Sequence, residues 1–335
     1  MTNRVPVIAF FNNKGGVGKT SLVYHLAWMY ADLDRRVLVA DLDPQANLTA
    51  AFLDEDRLTK LLWDDETKHR FTTYDAINPL LSGEGDVVAP HIESIHDKIG
   101  LLVGDLKLSD FEDELADSWL NALGGKPRPF RVMSAFWRVM QLGAAAHEAE
   151  FILVDLGPNL GSINRAALIA SDYVVVPLAP DIFSLQGLRN LGPRLRTWRR
   201  DWKDRVARFE DKTILLPSGE ISPIGYVVMQ PSMRLDRPVR AYEVWINRIP
   251  QDYAEYVLEM PMPINTDEHR LTTIKHYRSL IPLAQEARKP VFKLQPADGV
   301  IGSQVKAVET AYQDFRTLAL KILERVQLPL PDERF

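Results

Sequence analysis

The 335-residue chain contains no cysteine. Structural disulfides, a cysteine nucleophile and cysteine-ligated zinc or iron–sulfur centres are therefore excluded. It has no apolar run approaching the roughly 18 residues of a membrane span, and its first residues lack the charged-then-apolar layout of a secretory signal. It also lacks a strong excess of charge of one sign. Forty Lys and Arg against 45 Asp and Glu leave −5, so any nucleic-acid contact must come from a local patch rather than a global field. Internal repeats and low-complexity segments are missing too. What is present is an ordinary globular composition, 46% hydrophobic and 25% charged, in a chain with ample core. The expected class is a cytoplasmic enzyme or nucleotide-driven switch.

Strand and helix patterns alternate along the chain. Short β-branched, largely apolar runs occur at Val5–Phe11, Val37–Ala40, Ile99–Val103, Phe151–Val154, Tyr173–Val176 and Ile224–Val228, as expected for parallel strands buried on both faces. Helical patterns at 21–33, 130–148, 162–170 and 302–326 separate most of them. The expectation is an α/β fold with a doubly wound, mostly parallel sheet flanked by helices. One domain over 1–335 carries inserts at about 54–98 and 231–265. The first reads as polar and irregular, with turn signals at Asn78-Pro79 and Ser82-Gly83-Glu84-Gly85. The second holds a helix at about 240–258.

Three motifs carry chemistry. The run Lys14-Gly15-Gly16-Val17-Gly18-Lys19-Thr20 follows the first strand and opens the first long helix, continuing into Ser21. That is the context of a phosphate-binding loop. Glycines let backbone N–H groups approach phosphate oxygens, the helix presents its positive end, Lys19 supplies a point charge, and Thr20 offers a hydroxyl to Mg²⁺. After the second strand comes Asp41-Leu42-Asp43-Pro44-Gln45-Ala46-Asn47, with two carboxylates at i and i+2. One can support Mg²⁺ and the other can orient an attacking water. The run Phe151-Ile-Leu-Val-Asp155 ends a further strand in a carboxylate, the Walker B arrangement.

In this order the three motifs resemble the ParA/MinD family of deviant Walker A ATPases, closest to the ParA partitioning branch. The likeness extends through Asn164–Pro177 and Ser184-Leu-Gln-Gly-Leu188. It implies ATP and Mg²⁺ as cofactors. Lys14 would be the signature lysine that crosses a dimer interface to the partner's nucleotide. Gly15, Gly16, Val17, Gly18, Lys19, Thr20 and Ser21 would bind the subunit's own nucleotide. Asp43 would position the hydrolytic water, with Thr20, Asp41 and Asp155 serving the metal. A homodimer formed on ATP binding, nonspecific DNA and a ParB-like activating protein are the implied partners, with a nucleoid-associated location if DNA is bound. One departure is Gly157, where relatives more often carry proline.

Residues 193–209 point to what such a switch touches. Gly192-Pro193 is expected to end one helix and start another. On the new helix Leu195, Trp198, Trp202, Val206 and Phe209 form an apolar stripe, while Arg196, Arg199, Arg200 and Lys203 share one flank. Arg194, Arg205 and Arg208 are expected elsewhere on the exposed side. The basic flank suits a nucleic-acid backbone, or is simply a solvated helix face. The tail Val326–Phe335, with two prolines and two acids, is a poor membrane helix, so no membrane partner is expected. The loop's start at residue 14 leaves no N-terminal helix-turn-helix, so operator binding by that route is not expected. Two other readings remain open: an amidoligase or synthetase activating a carboxylate, with inserts building its pocket, and a regulatory or defence ATPase acting on a protein partner.

Overall fold

Among the described residues eight short runs, apolar except at the two edges, pair into one sheet: β1 (Val7–Phe10), β2 (Val37–Asp41), β3 (Glu93–His96), β4 (Ile99–Leu102), β5 (Phe151–Asp155), β6 (Tyr173–Leu178), β7 (Ser222–Met229) and β8 (Arg270–Ile274). The computed structural model describes residues 4–62, 71–211, 213–230, 239–260 and 268–331. Strand order is β3-β4-β2-β5-β1-β6-β7-β8. Only β3 runs antiparallel, against β4. The other neighbours are parallel, the doubly wound α/β arrangement expected.

The side-chain period of two divides the sheet between two cores. Val7 and Ala9 of β1, with Leu38 and Ala40 of β2, face the helices Phe111–Asn121, Ala135–His147, Ser162–Ile169 and Ile182–Val206. Ile8, Phe10, Val37 and Val39 face the helices Lys19–Asp32 and Ser303–Arg325. Because both faces are covered, the central strands are apolar throughout, which made them legible. The outermost strands β3 and β8 were not expected. Glu-Ser-Ile-His and Arg-Leu-Thr-Thr-Ile are only partly buried, so neither presents a continuous apolar run.

Local structure departs from expectation in four places. The helix expected at 130–148 is two, Pro127–Met133 and Ala135–His147. They meet at Ser134, whose hydroxyl donates to the Phe130 carbonyl at 2.6 Å and competes with the helical ladder. The first insert is more regular than its polarity indicated, with helices Glu55–Leu62 and Thr73–Leu81. Asn78-Pro79 lies inside the second of these, not in a turn. That helix is started by a capping box in which Thr72 and Asp75 bond each other's backbone. Residues 63–70 of this insert, and 231–238 and 261–265 of the second, lie outside the described residues.

The fourth departure is Pro193, which starts no new helix. The helix Ile182–Val206 runs through it, although an interior proline costs about 3 kcal/mol. Packing offsets that cost. The backbone of residues 253–258 lies against Gly192, where an added Cβ would fall 1.8 Å from the Tyr256 carbonyl oxygen. The helix Val239–Asp252 and the following π turn, close to the expected 240–258, lie against the same helix. Among the described residues no helix is long and apolar enough to cross a membrane.

Candidate nucleotide site

Strand order gathers the motifs. β2, β5, β1 and β6 are consecutive neighbours, and their C-terminal ends carry Asp41, Asp155, the glycine loop and Asp181. Asp41 and Asp155 are register partners, as are Phe10 and Asp155. Residues more than 100 positions apart thus meet at the edge where parallel sheets bind ligands.

The loop turns through Gly16 (φ 70°) and Gly18 (φ 87°), left-handed conformations that favour glycine. Gly18 is the N-cap of the helix that begins at Lys19, two residues earlier than the pattern showed. Gly15 and Gly16 are exposed, while Val17 is buried and anchors the turn. The Lys19 ammonium bends back over the loop, donating to the carbonyls of Asn12 at 3.2 Å and Lys14 at 3.3 Å. Burial lowers its pKa, and the nearby charges of Asp155 and Asp43 oppose that shift. Ser21 is exposed beside His25, which is buried and neutral, bridging the Ser21 carbonyl and the Val291 amide.

The three aspartates differ in environment. Asp41 is fully buried, and its Oδ2 accepts from the amide and the hydroxyl of Thr49, both at 2.8 Å. Gly104 makes room for it, since a Cβ there would lie 2.8 Å from the Asp41 carboxyl carbon. Asp155 is also fully buried, and neither of its oxygens has a well-formed hydrogen bond among the described residues; the same holds for Asp41 Oδ1. Burial pushes both carboxyls well above the usual carboxylate range; the Thr49 hydrogen bonds partly offset this at Asp41, whereas at Asp155 the Asp41 charge adds to it and Thr20 and Lys19 partly offset it. Asp43 sits at the mouth with 8% exposure, one oxygen accepting from the Gln45 amide at 3.0 Å. A Cβ at Gly157 would come within 3.2 Å of that same oxygen.

Orphaned buried carboxylate oxygens beside a threonine hydroxyl fit a hard divalent cation. Among the described residues no group of three or more His, Asp or Glu side chains forms a self-sufficient metal site. A cation here would need oxygens from Thr20, water and a phosphate ligand, the habit of Mg²⁺.

Sequence reasoning missed several residues that shape the site. Lys14 is ion-paired with Asp181. Asp181 also caps the helix Ile182–Val206 by accepting from the Phe183 and Ser184 amides, both at 3.0 Å. Asn12, almost fully buried, donates to the Pro177 carbonyl at 2.7 Å and accepts from the Lys14 amide at 3.0 Å, tying the loop to β6. Glu112 reaches across to the amides of Ser162 and Ile163 and holds the start of the helix that follows the Asp155 strand. An aspartate just before a helix is a visible capping signal. Its pairing with Lys14 has no local signature.

The basic helix is less uniform than its wheel. Arg196 donates to the Tyr256 carbonyl at 2.7 Å and pairs with Glu259 at 2.8 Å. Arg199 is half-buried, and burial lowers its pKa. Arg200 and Lys203 are exposed, Arg200 lying 3.4 Å from Asp201. Arg205 is not on the exposed side as expected. It is buried, donating to the Trp119 carbonyl at 2.8 Å and stacking 4.0 Å over the Trp119 ring. Planarity and weak hydration let a guanidinium lie against an indole face. Leu195, Trp198 and Trp202 are buried as the stripe implied, but the helix ends at Val206, before Phe209.

A family model described as an AAA domain matches residues 5–207. The chromosome partitioning protein ParA of Caulobacter vibrioides is 31% identical over 214 residues, covering 64% of this chain and 70% of that protein. The sporulation initiation inhibitor protein Soj of Bacillus subtilis is 29% identical over 185 residues, 55% of this chain and 62% of Soj. In structure, a Corynebacterium diphtheriae protein superposes with a TM-score of 0.71 at 22% identity, covering 96% of this chain and 98% of that one. An ATP complex of McdA from Cyanothece gives 0.60 at 14% identity, covering 97% and 98%. These two structures share the fold.

Proposed function

Because the chain belongs to the ParA/MinD family of P-loop ATPases, we propose that it hydrolyses ATP with Mg²⁺ and closes into a homodimer around the nucleotide. In that state it holds DNA without reading sequence and positions a plasmid, chromosome or other cargo. The supporting observation is the convergence at one sheet edge of the left-handed glycine loop, three aspartates and a second lysine free of the loop's own carbonyls.

In this reading the amides of Gly15 to Thr20 and the Lys19 ammonium bind the phosphates, with Ser21 behind them. Lys19 exchanges the carbonyls of Asn12 and Lys14 for phosphate oxygens. Thr20, Asp41 and Asp155 would hold Mg²⁺, which when bound supplies positive charge against the phosphate oxygens. Asp43 orients the attacking water, since its position at the mouth keeps the carboxylate within reach of solvent. Lys14 leaves Asp181 and supplies its charge to the nucleotide of the neighbouring subunit, which ties turnover to assembly. An activating ParB-like protein would set the rate at which the dimer resets.

DNA would lie along the flank of Arg196, Arg199, Arg200 and Lys203, and Arg200 and Lys203, the two that face solvent, would make the first phosphate contacts. A nucleoid-associated location follows from such binding. The test is retention of random-sequence DNA with ATP, ADP or no nucleotide, alongside light scattering. ATP-specific retention by a dimer is the expected result. Retention independent of nucleotide, or a monomer in ATP, would refute the proposal.

A further inference from the structure

On the proposed reading of this edge as an ATPase site, we infer that Asn164 is a positioning residue for hydrolysis. It fixes the loop 157–161 against Asp43 and the phosphate loop. Asn164 lies in the first turn of the helix Ser162–Ile169, just after the Asp155 strand, and is 1% exposed. Its Nδ2 donates to the Gly157 carbonyl at 3.0 Å, the Asn159 carbonyl at 2.7 Å and Asn159 Oδ1 at 3.0 Å. That Asn159 oxygen also accepts from the Gly161 amide at 2.9 Å. All three partners are acceptors, so only this orientation of the Asn164 amide serves them. A buried side chain thus fastens a loop whose Pro158 and Asn159 are exposed.

The loop touches both halves of the site. A Cβ on Gly157 would meet Asp43 Oδ1 at 3.2 Å. Next to it, Pro158 stands 3.9 Å from where a Cβ on Gly15 of the phosphate loop would lie. Gly157 has no Cβ to limit its own backbone, and ordering such a segment costs conformational entropy. Side-chain bonds supply the restraint. Glu112, from the helix Phe111–Asn121, accepts from the amides of Ser162 and Ile163. Gly161 leaves room for it, since a Cβ there would fall 2.6 Å from Glu112 Oε1. Glu112 therefore anchors the start of the helix, and Asn164 carries that anchorage back to the loop. Without the amide, the backbone beside Asp43 is free to shift, and ångström-scale shifts are enough to misdirect an attacking water.

Phosphate release by the full chain over a range of MgATP concentrations, with hydrogen exchange of the nucleotide-free protein, tests this role. Asn164→Ala should lower kcat about tenfold or more, with KM for ATP within about twofold of the wild type. It should also speed amide exchange across 157–163 while the central strands keep their protection. Asn159→Ala, at an exposed position that does not put folding at risk, removes one acceptor of the same amide and the bond to Gly161. Its kcat should fall about threefold. Wild-type kcat in both variants, unchanged exchange over 157–163 in Asn164→Ala, or a loss of kcat matched by an equal rise in KM overturns the inference alone. No release by the wild type itself overturns the ATPase reading, and this role with it.

Discussion

Lys14 and Asp181, 167 positions apart, form an ion pair across the ends of β1 and β6. The same carboxylate caps the helix Ile182–Val206 through its other oxygen. Lys14 is thereby held in its own subunit, against the start of the helix that also carries the basic flank. Any role for Lys14 across a dimer interface must begin by breaking this pair.

The pair is partly exposed, and such pairs contribute at most about 1 kcal/mol. Asp181→Asn keeps a good capping residue while removing the charge. It should lower the protein concentration for half-maximal dimerisation in ATP by up to about fivefold, read by light scattering. Lys14→Ala should abolish the ATP dimer and retain some nucleotide binding. A Lys14→Ala dimer of normal stability would remove the role in trans.

Asp43→Ala should trap an ATP dimer. Phosphate release is expected to fall by about 10²-fold or more with nucleotide affinity nearly unchanged, and normal release would contradict the assigned role. Gly157→Ala probes the same carboxylate without touching it chemically. A Cβ at this position crowds Asp43 Oδ1, so turnover should drop while ATP binding persists.

The buried carboxyls of Asp41 and Asp155 make stability depend on pH with a definite sign. Their folded-state pKa values are raised by burial, whereas the unfolded chain ionises them near about pH 4. Between these limits the folded state binds more protons, so stability falls as pH rises. Nucleotide-free protein should lose several degrees of Tm from about pH 5 to about pH 8. Asp155→Asn should flatten that slope and weaken Mg²⁺-dependent nucleotide binding. Melting curves across pH, with and without MgATP, provide both readouts, and an unchanged slope in Asp155→Asn would contradict the assignment.

Arg200→Glu with Lys203→Glu should weaken DNA retention and reduce the salt slope by roughly one per lost phosphate contact. Arg196→Ala should act differently, loosening the segment that ends at Glu259, because Arg196 is bonded there. Gel shifts over a salt series, paired with thermal melts, separate the two. Unaltered retention in the double variant would move the DNA surface elsewhere.

The amino-acid sequence alone determined what depends on a few neighbouring residues. The glycine loop between strand and helix, the carboxylates ending β2 and β5 and the apolar central strands were all legible, because turn geometry, helix capping and burial on both faces leave short-range patterns. Tertiary structure decided what depends on contacts between distant residues. Strand order placed Asp41 beside Asp155 and Asp181 beside Lys14. Packing against residues 253–258 carried a helix through Pro193, and burial took Arg205 out of the basic surface. Local preferences of about 1 to 3 kcal/mol are comparable in size to the packing and desolvation gains of a single close contact. At such positions the neighbours supplied by the fold, and not the adjoining residues, decide the outcome.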